Sequence, residues 1–201
     1  MCLHTIWSLD TIAFMKIGIM GALGSFTEEA ALQYTNEQKL SDTTIVPLVE
    51  ITAVLKAIEN DEVDIVVFPI QNSLSGIVES SMHGMSQHIF TITDFFELEV
   101  HQNLLVLPGT TAAQVNQITS QKPAIGQCAS YLTREWEGTE VTEYVDTAKA
   151  ASDLANGTLT PDTAIIASAR AAEIYRLEIL EPAIQDLKHN HTTFVAAVRG
   201  K

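Results

Sequence analysis

The densest polar chemistry in the chain is His189-Asn-His-Thr-Thr-Phe194, near its end. Two imidazoles, a carboxamide and two hydroxyls this close together can ligate a metal, hold a polar ligand or pass a proton to a leaving group. A metal centre needs a third ligand that the neighbouring sequence does not supply, so no metal is expected. A second polar cluster, Pro69-Ile-Gln-Asn-Ser-Leu-Ser-Gly76, follows an apolar run. Gln71, Asn72, Ser73 and Ser75 would stand at the carboxyl end of a strand, where α/β folds place ligand contacts. The same residue types also make an ordinary turn.

Two further segments concern anions. Gly18, Gly21 and Gly24 follow a first apolar run, and backbone N–H groups of residues 21–25 at a helix start could face an anion. Their spacing differs from a dinucleotide fingerprint, and no acidic residue ends the second strand to hold a ribose, so no cofactor is expected. Asp146-Thr-Ala-Lys-Ala-Ala151 reads as a helix capped by Asp146 or Thr147, with Lys149 in its first turn. The helix dipole disfavours a cation there, so Lys149 either sits in solvent or answers a bound anion. No Ser-His-Asp or Cys-His arrangement stands out.

The elements that must position these groups alternate. Residues 16–20 read as a strand, a tight turn follows, and residues 26–34 have helical spacing with Ser25 or Thr27 as cap. Residues 43–48 read as a strand, 51–58 as a helix and 63–68 as a buried strand, which implies a parallel sheet covered on both faces. Residues 69–76 read as a turn that ends the third strand. Residues 89–93 are a fourth apolar run, and 95–107 read as one strand crossing between lobes. A second series follows: helices near 112–118 and after Gly126, a strand near 141–145, a helix at 147–155, a strand at 164–167, a helix at 169–175 and a strand near 178–180. Residues 192–198 close the chain as a strand. Two lobes are expected, one of about residues 15–98 plus 186–200 and one of about 99–185, with residues 1–14 as an N-terminal extension.

Bulk composition narrows the function. The chain has 201 residues, 46% of them apolar, and only 11 Lys or Arg against 25 Asp or Glu. A formal charge of −14 argues against nucleic acid and acidic membranes, which need clustered cations. It also opposes an anionic ligand at long range, so a cleft for one must supply local cations, N–H groups or helix N-termini. Cys2 and Cys128 make no disulfide framework, and no signal peptide or membrane span is evident. The cytoplasm is the expected location.

Taken in order, the segments resemble the catalytic domain of the prephenate dehydratases. Gly21-Ala-Leu-Gly-Ser-Phe-Thr-Glu resembles that family's opening turn, and Pro69-Ile-Gln-Asn-Ser73 its Pro-Ile-Glu-Asn-Ser segment. Ser120-Gln-Lys-Pro-Ala-Ile-Gly-Gln-Cys128, Asp146-Thr-Ala-Lys-Ala-Ala151 and Asn190-His-Thr-Thr-Phe194 are similar to further motifs, the last to Asn-x-Thr-Arg-Phe. The resemblance implies an α/β fold of two lobes around a central cleft, like the type II periplasmic binding proteins. It implies a lyase that removes CO₂ and water from prephenate to give phenylpyruvate for phenylalanine synthesis. Thr192 is then the catalytic hydroxyl, and Ser25, Asn72, Ser73, Gly76, Gln127, Thr147, Asn190, Thr193 and Phe194 bind the substrate, a small dicarboxylate. A homodimer or higher oligomer is expected. Alternatives on the same fold are a prephenate decarboxylase and a non-catalytic protein that binds small anions.

The departures are specific. The family's Arg is Thr193 here, its Glu is Gln71, its His is Gln121, and two further positions are Ser81 and His83. Losing an Arg and a Glu together balances charge if the two positions pair, so Gln71 and Thr193 are expected side by side. Lys122, Lys149 and His191 are the candidate replacement cations. The family's usual phenylalanine-sensing domain has no counterpart before Lys201, so feedback through it is not expected in this polypeptide.

Overall fold

The structure, a computed structural model, describes residues 14–200. Of the expected N-terminal extension, residues 1–13 lie outside the described residues. The first lobe contains β1 (Met15–Ile19), α1 (Phe26–Glu37), β2 (Thr43–Pro47), α2 (Ile51–Glu59), β3 (Ile65–Asn72), β4 (Gly76–Ile77), α3 (Glu79–Met85) and β5 (Phe90–Glu99). The second contains β6 (Asn103–Val106), β7 (Gln117–Ser120), α4 (Lys122–Gln127), α5 (Ala129–Glu135), β8 (Glu140–Glu143), α6 (Thr147–Ala155), β9 (Thr163–Ala167), α7 (Ala169–Tyr175) and β10 (Glu178–Glu181). The last strand, β11 (His191–Arg199), returns to the first lobe.

Both sheets have the same wiring. The first runs β2-β1-β3-β11-β5 and the second, read from its other edge, β8-β7-β9-β6-β10. Apart from the two-residue β4, which pairs only with β3, each lobe has four resident strands in the order second, first, third, fourth, with one visiting strand between the last two. β11 is antiparallel to β3 and β5, and β6 is antiparallel to β9 and β10. The expected all-parallel sheet is therefore mixed. A strand that arrives from the opposite lobe enters across the cleft, against the direction of the resident strands.

Several local readings change for similar reasons. Residues 95–107 are not one strand: β5 ends at Glu99, residues 100–102 cross, and β6 begins at Asn103. Val100 N–H donates to the Asn190 carbonyl at 2.7 Å, so the two crossings run beside each other. β3 continues through Pro69 to Asn72, and only residues 73–75 turn. Pro69 lacks an N–H, and the ladder with β11 shifts register beside it, between Thr193 and Phe194. The helix expected near 112–118 is a short 3₁₀ turn (Ala112–Gln114) followed by β7. Ile118 and Thr119 are β-branched and find partners on both β8 and β9, which outweighs the local helical spacing. The helical region around Gly126 splits in two at Cys128, and α3 is an element that no sequence pattern indicated.

Four apolar clusters cover both faces of both sheets. On the first sheet, Phe194 and Ala196 of β11 pack toward α1, while Val195 and Ala197 pack toward α2. On the second, α4 and α5 cover one face, α6 and α7 the other. The lobes touch where α1 begins. Gly24 has φ +86°, and a Cβ there would lie 3.0 Å from Tyr175 Cε2 and 3.1 Å from the Ala171 backbone. Gly24→Ala is expected to cost about 1–2 kcal/mol from the left-handed backbone alone, and more from the contact across the lobes. Urea unfolding of the variant measures this.

Candidate active site

The sequence builds the cleft from the ends of elements. β3 and β11 bring Asn72 and Thr192 into register at the carboxyl end of β3. α1 begins after Ser25, whose side chain accepts the Glu28 N–H at 3.3 Å. α6 begins after Asp146, whose carboxylate accepts the Lys149 N–H at 2.8 Å. Between these ends lies a cavity of about 210 Å³, lined by residues from both lobes.

Of the residues singled out in the sequence, Thr192, Asn72, Gln127, Thr147 and Phe194 line this cavity. The others do not. Asn190 is fully buried and joins Asn72 to Gln127. Ser73 fixes the turn: its N–H donates to the His191 carbonyl at 2.8 Å, and its Oγ accepts the His191 N–H at 3.0 Å. Gly76 is exposed on β4 with φ +82°. Ser25 is committed to its helix cap. Thr193 alternates to the other face of the sheet, where its register partner is Gln71, the adjacency that a paired loss of Arg and Glu requires. Ser75, placed in the sequence among the polar residues at the end of the third strand, lines the cavity as well, as do Thr27, Gln102 and Gln121, which were not named as ligand contacts. For Gln102 the available signal was a polar residue between two apolar strands, where the chain changes lobes.

A run of side-chain amides sets the polarity of the cleft. Asn72 Oδ1 accepts the N–H groups of Leu74 (3.0 Å) and Ser75 (2.9 Å). Its Nδ2 must therefore point the other way, and it donates to Thr192 Oγ1 at 2.9 Å and Asn190 Oδ1 at 2.7 Å. Asn190 Nδ2 then donates to Gln127 Oε1 at 2.9 Å, which also accepts from Gln102 Nε2 at 2.9 Å. Because the Thr192 oxygen already accepts, its hydroxyl proton is left to donate into the cavity. That leaves the Thr192 hydroxyl able to donate a hydrogen bond into the cavity.

No Lys, Arg, His, Asp or Glu is among the residues lining the cavity. Lys149 instead holds Asp153, with Nζ 2.5 and 2.6 Å from its two carboxylate oxygens. Lys122 is 3.6 Å from Glu143 and well exposed. The first turns of α1 and α6 place Thr27 and Thr147 at the cavity, and the leading amides of both helices have no intrahelical acceptor. Cys128 is no nucleophile at neutral pH, since burial pushes its thiol up to about 12.

The Asp153 side-chain contacts are local to α6: Lys149 within the helix, Asn156 at its end and Tyr144 just before it. Hydrogen bonds from Lys149, then from the Tyr144 hydroxyl, keep its carboxyl below the ordinary value of 3.8. A folded pKa below the unfolded one stabilises the fold above about pH 4, and that contribution is lost as pH falls through the lower folded value. Thermal melts below pH 4 should therefore show wild type losing stability with acid more steeply than Asp153→Asn.

Among the described residues no helix is long and apolar enough to cross a membrane. A family model described as prephenate dehydratase matches residues 17–200. The chain is 36% identical over 186 residues to arogenate dehydratase/prephenate dehydratase 6, chloroplastic, of Arabidopsis thaliana, covering 92% of this chain and 43% of that protein. It thus spans less than half of that relative's length. Among solved structures, prephenate dehydratase from Arthrobacter aurescens in complex with L-Phe is similar in fold, with a TM-score of 0.84 and 22% identity over 93% of this chain and 61% of that one. GqqA, described as a novel type of quorum quenching acylase, has a TM-score of 0.79 and 25% identity over 92% and 64%.

Proposed function

This chain belongs to the prephenate dehydratase family, and we propose that it carries out that reaction on a cyclohexadiene dicarboxylate of the prephenate or arogenate type. The observation that carries the reading is Thr192, held by Asn72 so that its hydroxyl donates into the inter-lobe cavity. In the reaction the C–C bond to the ring carboxylate breaks and CO₂ leaves. That electron pair enters the ring, the C–O bond to the ring hydroxyl breaks, and the departing hydroxide takes a proton to become water. Aromatisation supplies the driving force, so the protein mainly orients the substrate and assists the leaving group. Thr192 donates its hydrogen bond to that leaving oxygen. A threonine hydroxyl is a weak acid, and the N-termini of α1 and α6 support negative charge near it.

The absence of the motif arginine is compatible with this reading. Position 193 faces away from the cavity toward Gln71, so the neutral Gln71–Thr193 pair replaces an ion pair beside the site rather than a cation within it. The reading also includes a cytoplasmic location and a homodimer or higher oligomer.

The assay is direct. Incubation with prephenate or arogenate should yield phenylpyruvate or phenylalanine; no product above the spontaneous background rejects the reading. CO₂ release without an aromatic product would indicate the decarboxylase, and tight binding without turnover the non-catalytic binding protein.

A further inference from the structure

Helix α1 starts on the wall of the cleft cavity, and its first two residues, Phe26 and Thr27, both line it. Their N–H groups find no acceptor among the described residues, as is usual in the first turn of a helix. The next amide, that of Glu28, is taken by Ser25 Oγ at 3.3 Å. The Thr27 side chain is an independent feature. Thr27 is 6% exposed, yet its hydroxyl makes no hydrogen bond among the described residues. Of those residues, Gln102 Oε1 is the one side-chain polar atom that is both sealed from solvent and without a partner. The Thr27 hydroxyl also has no partner, so it is not sealed, and it opens into the cavity that Thr27 lines. Gly21 leaves room beside it, since a Cβ there would lie 3.6 Å from Thr27 Oγ1.

Two free backbone donors and one free hydroxyl donor thus meet at the start of a 12-residue helix. The cavity lining holds no Lys, Arg or His, so an anion there has to be met by neutral donors of this kind. We infer that Thr27, with the N–H groups of Phe26 and Thr27, anchors one carboxylate of the substrate, the one that remains on the side chain of the product. The ring carboxylate leaves as CO₂ and passes its electron pair to the ring. Donors that held its charge in the ground state would oppose that step. The side-chain carboxylate keeps its charge throughout, so fixed donors can hold it from binding to release. The resemblance places Ser25 at the substrate; the structure commits Ser25 to the helix cap and leaves the hydroxyl of Thr27 open instead. Thr27 is thereby a binding residue. The inference rests on the dehydratase reading and adds to it where the substrate's side chain is held.

Thr27→Val keeps the shape and removes the hydroxyl. Its kcat/KM for dehydration should fall about 10- to 100-fold. The loss should come through KM with kcat little changed, as for a contact made equally in the ground and transition states. Thr27→Ser should restore most of it. Because the hydroxyl bonds to nothing in the protein, Thr27→Val should melt no lower than wild type. A lower melting temperature would give the hydroxyl a structural partner and overturn the inference, as would an unchanged KM or a loss confined to kcat. Calorimetry reads the anchor without turnover. Phenylpyruvate keeps the side-chain carboxylate, and phenylacetone carries a methyl group in its place. Wild type should bind phenylpyruvate at least about 10-fold more tightly, and Thr27→Val should narrow the difference. If neither prephenate nor arogenate turns over but this pattern holds, the dehydratase reading fails and the anchor stands. If dehydration proceeds and Thr27→Val behaves as wild type, the reading stands and the anchor fails. Equal binding of the two probes, or binding of neither, also overturns the anchor.

Discussion

Thr192→Val is expected to lower kcat/KM for dehydration by about 100- to 10,000-fold, the usual worth of a positioned proton donor. Valine keeps the shape and the β-branched backbone preference of threonine, so the strand should persist. Asn72 Nδ2 would lose one acceptor but keep Asn190 Oδ1 at 2.7 Å and the His191 carbonyl at 3.2 Å. Thr192→Ser, which retains the hydroxyl, should keep most of the activity. Thr193→Val is the matched control, one residue away and on the opposite face of β11, and should change kcat/KM little. Comparable losses at 192 and 193 would show that the effect comes from disturbing the strand. A small loss at 192 would remove the hydroxyl from the chemistry.

The largest expected effect on stability is at the ion pair between the lobes. Arg170 Nε and Nη2 both donate to Glu28 Oε1, at 3.0 and 2.9 Å, and Glu28 Oε2 accepts the Gly24 N–H at 2.5 Å. Around this pair the Ser168 hydroxyl donates to the Gly24 carbonyl at 2.6 Å, and the Arg170 N–H to Glu29 Oε1 at 2.9 Å. The Glu28 side chain is 3% exposed and that of Arg170 27%. Arg170→Met leaves the Glu28 charge buried with one backbone amide for company, and should cost about 3 kcal/mol. Glu28→Leu together with Arg170→Met removes the uncompensated charge and should recover part of that loss. Denaturant unfolding of the two single variants and the pair measures the coupling. If the double variant loses the sum of the two single losses, the pair contributes no coupling. The contact also joins the start of α1 to the start of α7, so it holds together the two walls of the cleft.

The reach of sequence reasoning differed by residue. Helices α6 and α7 were legible to the residue, and each cap was narrowed to two candidates, from which the structure selects Ser25 over Thr27 and Asp146 over Thr147, because a cap and a helical turn involve groups only three or four residues apart. β11 was legible from its apolar run. β7 was hidden, since Ile118 and Thr119 are strand residues only by virtue of neighbours in β8 and β9. Gln102 was equally hidden. Its place between two apolar strands marks it as a polar residue at a crossing, but not as one that joins an amide relay.

The residues alone determined the α/β class, the two-lobed division, the absence of a basic surface and the polar strand around Thr192, because composition and short-range periodicity carry these directly. Tertiary structure decided what the polar residues do. The Asn72–Thr192 hydrogen bond joins positions 120 residues apart, and Asn190–Gln127 positions 63 apart. Their donor and acceptor directions are imposed by the turn at residues 73–75. A helix satisfies its backbone within one turn, so its sequence can announce it. The orientation of a buried amide depends on whichever groups the fold brings against it, so the donor at Thr192 and the unfilled acceptor at Gln102 exist only once both crossings between the lobes are in place.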